Sequence, residues 1–249
     1  MYPKICSLGP ITVYSYGAVL AIAFIVAVAL ACSEAKRRGI DPDFIFNLSF
    51  TVLVFGIIGA RLFYVFSNLG YYLKNPLEII MLPHGGMSWF GGFFLGLASG
   101  VILLKKKKEG VYRILDLIAP FLALAQSLGR IGCFLNGCCF GRESSYGIYF
   151  PLHEKILIPT QLYSSLLLLI IFIILRFIQD RSQRLGVVFY SYLFLYSAKR
   201  FFIEFFRADN SRIIFNLTLF QLICIPLFFF ALFKLVSLLK PQKKQNEGI

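Results

Sequence analysis

Charge is scarce in this chain. Only 15% of its 249 residues are Asp, Glu, Lys or Arg, and only 12 are acidic. No polar stretch is long enough to form a soluble module, and no internal repeat or low-complexity domain interrupts the apolar runs. So little polar surface cannot cover a water-soluble globule of this size. Histidine is limited to His84 and His153, which lack any ligand spacing, so no metal site and no cofactor are expected.

Apolar residues dominate instead: 58% of the chain is hydrophobic and 17% aromatic, with a mean hydropathy of +0.76. A hydrocarbon core of about 30 Å requires roughly 20 apolar residues per crossing helix. Seven runs meet that need, at 14–32, 44–66, 86–104, 114–134, 161–178, 186–206 and 216–237. The expectation is an all-α integral membrane protein forming a single polytopic domain over 1–249. The apolar "ALAC" at 29–32 faintly resembles a cleavable lipoprotein signal, but a long run precedes it and "KRR" follows, so the first span is read as retained.

The net charge of +13 is distributed with a phase. Lys36, Arg37 and Arg38 follow the first span, Lys105 to Lys108 the third, Arg176, Arg181 and Arg184 close the fifth, and Lys240, Lys243 and Lys244 the seventh. The intervening connections are poorer in basic residues. This alternation signals membrane topology rather than nucleic-acid binding, and it places the N-terminus outside and the C-terminus in the cytoplasm.

On that topology the polar residues converge. Arg61, Arg130 and the set Lys199, Arg200 and Glu204 lie toward the outer ends of their spans. The first turns of the inward-going spans carry "YSYG" (14–17), "GGMSWFGG" (85–92) and "PTQLY" (159–163). Insertion scales charge about 2.5–3.5 kcal/mol for an arginine at mid-membrane, less when it snorkels to the headgroups. Snorkelling accounts for any one of these arginines. It accounts poorly for all of them sharing a leaflet with Glu204, and a shared outward-facing site explains the pattern better.

Tyr196, Arg200, Glu204 and Arg207 follow helical spacing, so one face carries all four and Glu204 can pair with Arg200 or Arg207. A guanidinium held that way can bind a phosphate through two parallel hydrogen bonds, though a self-satisfied ion pair welding two helices is the plainer reading. Gly129, Gly132, Gly137 and Gly141 clear space around Arg130 for a helix or a ligand. Gly92, Gly96 and Gly100 have the spacing of helix packing, and Asn136 either caps its helix or meets a ligand hydroxyl. Cys6, Cys32 and Cys224 read as apolar filler. For Cys133, Cys138 and Cys139 three readings stay open: filler, a disulfide from Cys133 to Cys138 or Cys139, or thiolate chemistry beside an arginine. An anion carrier would use similar arginines, but nearer the midplane and in a chain with a repeated half.

"GRIGCFLNGCCFG", with "YSYG", "GGMSWFGG", "PTQLY" and "YSAKRFFIEFFR", resembles the bacterial prolipoprotein diacylglyceryl transferase family over nearly the whole chain. The resemblance implies seven spans in the bacterial cytoplasmic (inner) membrane, with the active site at the outer leaflet. It implies transfer of the diacylglyceryl group of phosphatidylglycerol to the cysteine thiol of a prolipoprotein signal peptide, with release of glycerol phosphate. Partners would be those substrates and membrane lipids, with no nucleic acid. Arg130 and Arg200 would hold the phosphate, and Glu204 would orient Arg200 or assist proton transfer. Tyr16, Arg61, Asn136, Gly141, Gln161, Tyr163, Tyr196 and Arg207 would complete the binding site. The chain departs from the pattern at Phe90, Cys133, Cys138 and Ile158, where polar residues are usual, so a same-family transferase with another donor or acceptor is the alternative.

Overall fold

The computed structural model describes residues 1–8, 11–81, 85–106 and 110–240. His84, Lys107, Lys108, Lys243 and Lys244, which entered the readings above, lie outside the described residues. The chain divides into two compact units, Met1–Leu30 with Tyr112–Ile249, and Ala31–Val111.

Eight α-helices make up most of the described chain: α1 (Ser15–Arg37), α2 (Pro42–Ser67), α3 (Leu69–Tyr72), α4 (Trp89–Lys106), α5 (Val111–Asn136), α6 (Thr160–Arg181), α7 (Val187–Glu204) and α8 (Leu219–Leu239). Six of them, α1, α2, α4, α5, α6 and α8, are long and apolar enough to cross a membrane. The expected span 186–206 forms as α7, whose 18 residues include Lys199, Arg200 and Glu204, and so it falls short on composition. Three antiparallel hairpins accompany the helices, which the all-α expectation did not include. They pair β1 (Lys4–Leu8) with β2 (Ile11–Tyr14), β3 (Glu143–Phe150) with β4 (Lys155–Leu157), and β5 (Arg212–Ile214) with β6 (Leu217–Thr218).

Helix ends follow local chemistry. Pro42 opens α2, and the Asp41 side chain accepts from the Asp43 N–H at 3.0 Å. Thr218 and Gln221 close a reciprocal capping box on α8. Lys36 and Arg37 end α1, Lys105 and Lys106 end α4, and Arg181 ends α6, where cations meet the negative pole of the helix.

In the Ala31–Val111 unit, glycines bring α2 and α4 together. A Cβ on Gly59 would lie 2.6 Å from Leu95 Cβ, and one on Gly96 3.3 Å from the Val52 carbonyl. Close backbone approach of this kind is what small-residue spacing gives membrane helices, which gain little from burying apolar surface against equally apolar lipid.

In the other unit α5 is the central helix, with 44% of its apolar window buried against 11% for α8. Ala119 and Ala123 of α5 pack with Ile171 and Leu175 of α6 and Val188 and Tyr192 of α7. Near the start of α5, Asp116 accepts from the N–H groups of Gly186 (2.5 Å) and Phe189 (2.7 Å), capping α7 from a neighbouring helix. Gln179 of α6 donates to the Asp116 carbonyl at 2.8 Å. This knot ties α5 to the start of α7: Arg130 lies 14 residues beyond Asp116 and Arg200 lies 14 beyond Gly186. At 1.5 Å rise per residue each lies about 21 Å along its helix, and the two come within electrostatic reach of each other.

Candidate active site

Arg130 sits near the end of α5, half-buried, and among the described residues no hydrogen bond or ion pair occupies its guanidinium. The glycines beside it admit α1: a Cβ on Gly129 would lie 3.2 Å from Leu20 Cδ2, and one on Gly132 3.3 Å from Val19 and 3.5 Å from Tyr16 Cδ2. They seat a helix and bring the Tyr16 ring alongside Arg130 and the cysteines.

Across from α5, Arg200 of α7 is 7% exposed. Its Nη2 lies 3.1 Å from Glu204 Oε2, its guanidinium carbon lies 4.5 Å from the centre of the Phe220 ring, and its Nη1 has no hydrogen-bond partner. Glu204 is 2% exposed, and its Oε1 accepts from Thr218 Oγ1 at 3.0 Å and from the Asn210 amide. Arg207 is the weaker partner of Glu204, at 3.9 Å, because its Nε and Nη2 donate in parallel to Asp209 at 2.8 and 2.6 Å. Burial opposes the charge of Arg207, but the Asp209 carboxylate more than offsets it, aided by Cys139 and Glu204, and the guanidinium titrates above the ordinary arginine range. Lys199 lies within electrostatic reach of Arg130, Arg200 and Arg207, its Nζ 5.2 Å from the centre of the Tyr196 ring.

Four cations thus share this end of α5 and α7 with two carboxylates, Glu204 and Asp209. Arg207 is engaged by Asp209. Arg200 is steered by Glu204 but keeps one free edge, and Arg130 keeps its whole fork. Such an excess suits a bound anion, and two planar forks with free donors suit a phosphate.

The turn after α5 borders the cluster. Gly137 (φ +72°) and Cys139 (φ +63°) are left-handed, and the turn is pinned by backbone and side-chain bonds. Cys138 N–H donates to the Cys133 carbonyl (3.1 Å), Gln161 Nε2 to the Cys138 carbonyl and Thr160 Oγ1 to the Cys139 carbonyl (2.7 Å each). The Gln161 side chain is fully buried, and its Oε1 has no partner. Cys133, Cys138 and Cys139 are unbonded thiols whose sulfurs all lie within 4.8 Å of one another. Hydrogen bonds from the Cys133 and Cys138 thiols, then Arg207 and Arg130, hold the Cys139 thiol well below its usual range. The Asn136 side chain bears on Cys138.

Gly141 has a structural reason to be glycine. Its N–H donates to the Ile158 carbonyl at 2.9 Å, Arg142 N–H donates to Phe206 at 2.9 Å, and Gly141 bridges Arg207. A Cβ there would lie 2.7 Å from Ile158 Cβ and 2.8 Å from the carbonyl oxygens of Ile158 and Phe206. This seam ties the cysteine turn to Arg207.

Two expected site residues have surroundings of their own. Tyr163 is exposed, two residues beyond Gln161 and so on a different face of α6. Arg61 belongs to the Ala31–Val111 unit, where its five N–H donors face carbonyl oxygens of Ile79 and Gly86 (2.9 Å each), Met81 (3.2 Å), Glu78 and Gly85. Arg61 organises its own loop, and binding a substrate would require it to surrender a carbonyl. Asp209, Asn210, Thr218 and Thr160 were not singled out from the sequence. Two of them left a signal there: Asp209 lies two residues past Arg207, and Thr160 lies within "PTQLY".

A family model described as prolipoprotein diacylglyceryl transferase matches residues 3–237. A protein of Clostridium tetani is 34% identical over 219 residues, covering 84% of this chain and 86% of its own. One from Staphylococcus carnosus is 33% identical over 237 residues, covering 90% and 86%. One from Staphylococcus aureus strain MSSA476 is 35% identical over 237 residues, covering 90% and 85%. All three are named phosphatidylglycerol–prolipoprotein diacylglyceryl transferase.

Proposed function

The chain belongs to the prolipoprotein diacylglyceryl transferase family, and from that premise we propose that it transfers the diacylglyceryl group of phosphatidylglycerol to the cysteine thiol of a prolipoprotein signal peptide. A carbon–sulfur bond forms at the glyceryl carbon as the thiol loses its proton, the carbon–oxygen bond to phosphate breaks with its electron pair going to oxygen, and glycerol phosphate leaves, the proton passing to it or to water. The phosphodiester carries one negative charge and the departing monoester approaches two. Donors aimed at its oxygens therefore bind the transition state more tightly than the substrate.

Arg130 is assigned the main grip on the phosphate, since its fork is unoccupied and lies within electrostatic reach of Arg200. Arg200 adds its free Nη1 edge, and Glu204, anchored by Thr218 and Asn210, aims it. Lys199 and Arg207 raise the local positive potential. Gln161 offers a buried carbonyl acceptor to a glycerol hydroxyl. Tyr16, Asn136 and Tyr196 are assigned to the remainder of the substrate site. The observation that carries the reading is the unpaired Arg130 within electrostatic reach of a half-paired, buried Arg200.

In this account α7 crosses the bilayer as a seventh span despite its charges, because they point into the protein. The N-terminus and the site face outward, and the basic clusters face the cytoplasm.

The purified chain, incubated with phosphatidylglycerol and a peptide bearing a lipobox cysteine, is expected to yield a peptide heavier by one diacylglyceryl group on sulfur. Phosphatidylethanolamine and cardiolipin in parallel reactions test whether Phe90, Cys133, Cys138 and Ile158 accompany a different donor. No adduct with any of them, while the peptide thiol stays free, would contradict the proposal.

A further inference from the structure

The phosphate grip does not use the three thiols at the end of α5. From sequence alone they carry no metal-ligand pattern, because Cys133 is separated by four residues from an adjacent Cys138–Cys139 pair, with no histidine at ligand spacing. Folding changes that. The last turn of α5 presents Cys133, the left-handed Gly137 and Cys139 reverse the chain, and three sulfurs converge within 4.8 Å.

We propose that Cys133, Cys138 and Cys139 form a binding site for one thiophilic d10 cation, Cu(I) or Zn(II), held by three sulfurs.

The spacing fits such an ion. Metal–sulfur bonds are about 2.3 Å, which places the sulfurs of a trigonal site about 4 Å apart. The cluster closes onto an ion with side-chain adjustment of under about an ångström. A disulfide, by contrast, draws two sulfurs to about 2 Å and leaves the third without a role. Soft thiolate sets select Cu(I) and Zn(II) over hard cations.

The surroundings are built to hold this shape. Gln161 and Thr160 fix the carbonyls of Cys138 and Cys139, and His153 Nε2 lies 2.8 Å from the Gly137 carbonyl. Left-handed backbone is unfavourable at a residue with a side chain, and at Cys139 it turns the thiol toward the other two. Three thiolates around Cu(I) carry a net charge of minus two, and around Zn(II) minus one. Arg130 and Arg207, within electrostatic reach of Cys139, offset it. Zn(II) would keep its fourth position for water, and Cu(I) needs none.

The site does not depend on the transfer reaction, so its test reads binding alone. The full-length chain, purified reduced and without oxygen, is titrated with Zn(II) against a chromophoric chelator and with Cu(I) against bicinchoninate. One of the two is expected to bind one ion per chain and to survive gel filtration. Cys139→Ser and Cys133→Ser are each expected to weaken it at least about tenfold, and Cys6→Ser and Cys32→Ser to leave it unchanged. Should Cys133→Ser fail to fold, Cd(II) added to the unaltered chain reads the same point through the intense ultraviolet band of a cadmium trithiolate. Three results would each overturn the proposal: retention of neither ion with all thiols verified reduced, binding indifferent to Cys133 and Cys139, or a disulfide within the trio in protein alkylated directly from membranes.

Discussion

Replacing Glu204 by glutamine removes one charge from a carboxylate that is 2% exposed while keeping its shape. The amide oxygen can still accept from Thr218 and Asn210, so those bonds are largely spared. What disappears is the counter-charge of Arg200 at 3.1 Å. At an effective dielectric of 20, two unit charges at that separation attract by about 5 kcal/mol, before the cost of taking both from water is set against it. Removing one partner of a buried pair costs about 3–5 kcal/mol, because the remaining charge stays buried. Glu204→Gln should cost at least the lower figure, because among the described residues nothing else neutralises Arg200. Arg200 already has an unpartnered Nη1 and no second carboxylate, since Asp209 serves Arg207. For a chain of this length, about 3 kcal/mol lowers the melting midpoint by about 6–12 °C. Thermal scanning of the detergent-solubilised protein reads this directly. The double change Arg200→Gln with Glu204→Gln should cost clearly less than the sum of the two single changes, since the second removes a charge the first has orphaned. Strict additivity, or a Glu204→Gln midpoint at the parent value, would refute the pairing and with it the aiming of Arg200.

Other regions give independent tests. Arg61→Lys replaces five donors with three, so hydrogen exchange at Glu78–Met81 should accelerate at least about tenfold, corresponding to about 1.4 kcal/mol; unchanged protection would mean the carbonyl cradle holds without it. Gly141→Ala forces a Cβ against two carbonyl oxygens at 2.8 Å and should cost about 1–3 kcal/mol in thermal stability, whereas a neutral effect would show that the seam with Ile158 and Phe206 yields easily. Cysteines introduced as Asn75→Cys and Glu154→Cys should react with an impermeant thiol reagent on intact cells, and Lys106→Cys and Gln183→Cys only after lysis; the reverse pattern would invert the topology.

The helices were legible because a membrane leaves few solutions: an apolar run of about 20 residues must satisfy its backbone internally, and a helix does so. The hairpins were not, since strands of two to eight residues beside Gly, Pro and Asn carry too short a pattern. The Arg200–Glu204 pair was legible from spacing along one helix. Asp209 on Arg207, and Thr218 and Asn210 on Glu204, reach the helix from beyond its end, where periodicity says nothing. Arg61 shows a related limit: every acceptor of its N–H groups is a backbone carbonyl, which any sequence supplies, so that engagement leaves no trace in residue identity. Gly129 and Gly132 announced close approach, but not that Leu20, Val19 and Tyr16 of α1 fill the space. Asp116, which no motif or spacing singled out, bonds across to Gly186 and Phe189 and ties α5 to the start of α7.

The phosphate grip is tested most directly by transfer kinetics of Arg130→Lys. Lysine preserves the charge and reaches the headgroups equally well, but its ammonium cannot present two parallel N–H donors to a phosphate. With protein level and melting midpoint near the parent values, turnover with phosphatidylglycerol and the lipobox peptide should fall at least about tenfold, a barrier higher by about 1.4 kcal/mol. Turnover within about twofold of the parent would mean that Arg130 supplies charge alone, and would contradict its assignment as the fork that holds the leaving phosphate.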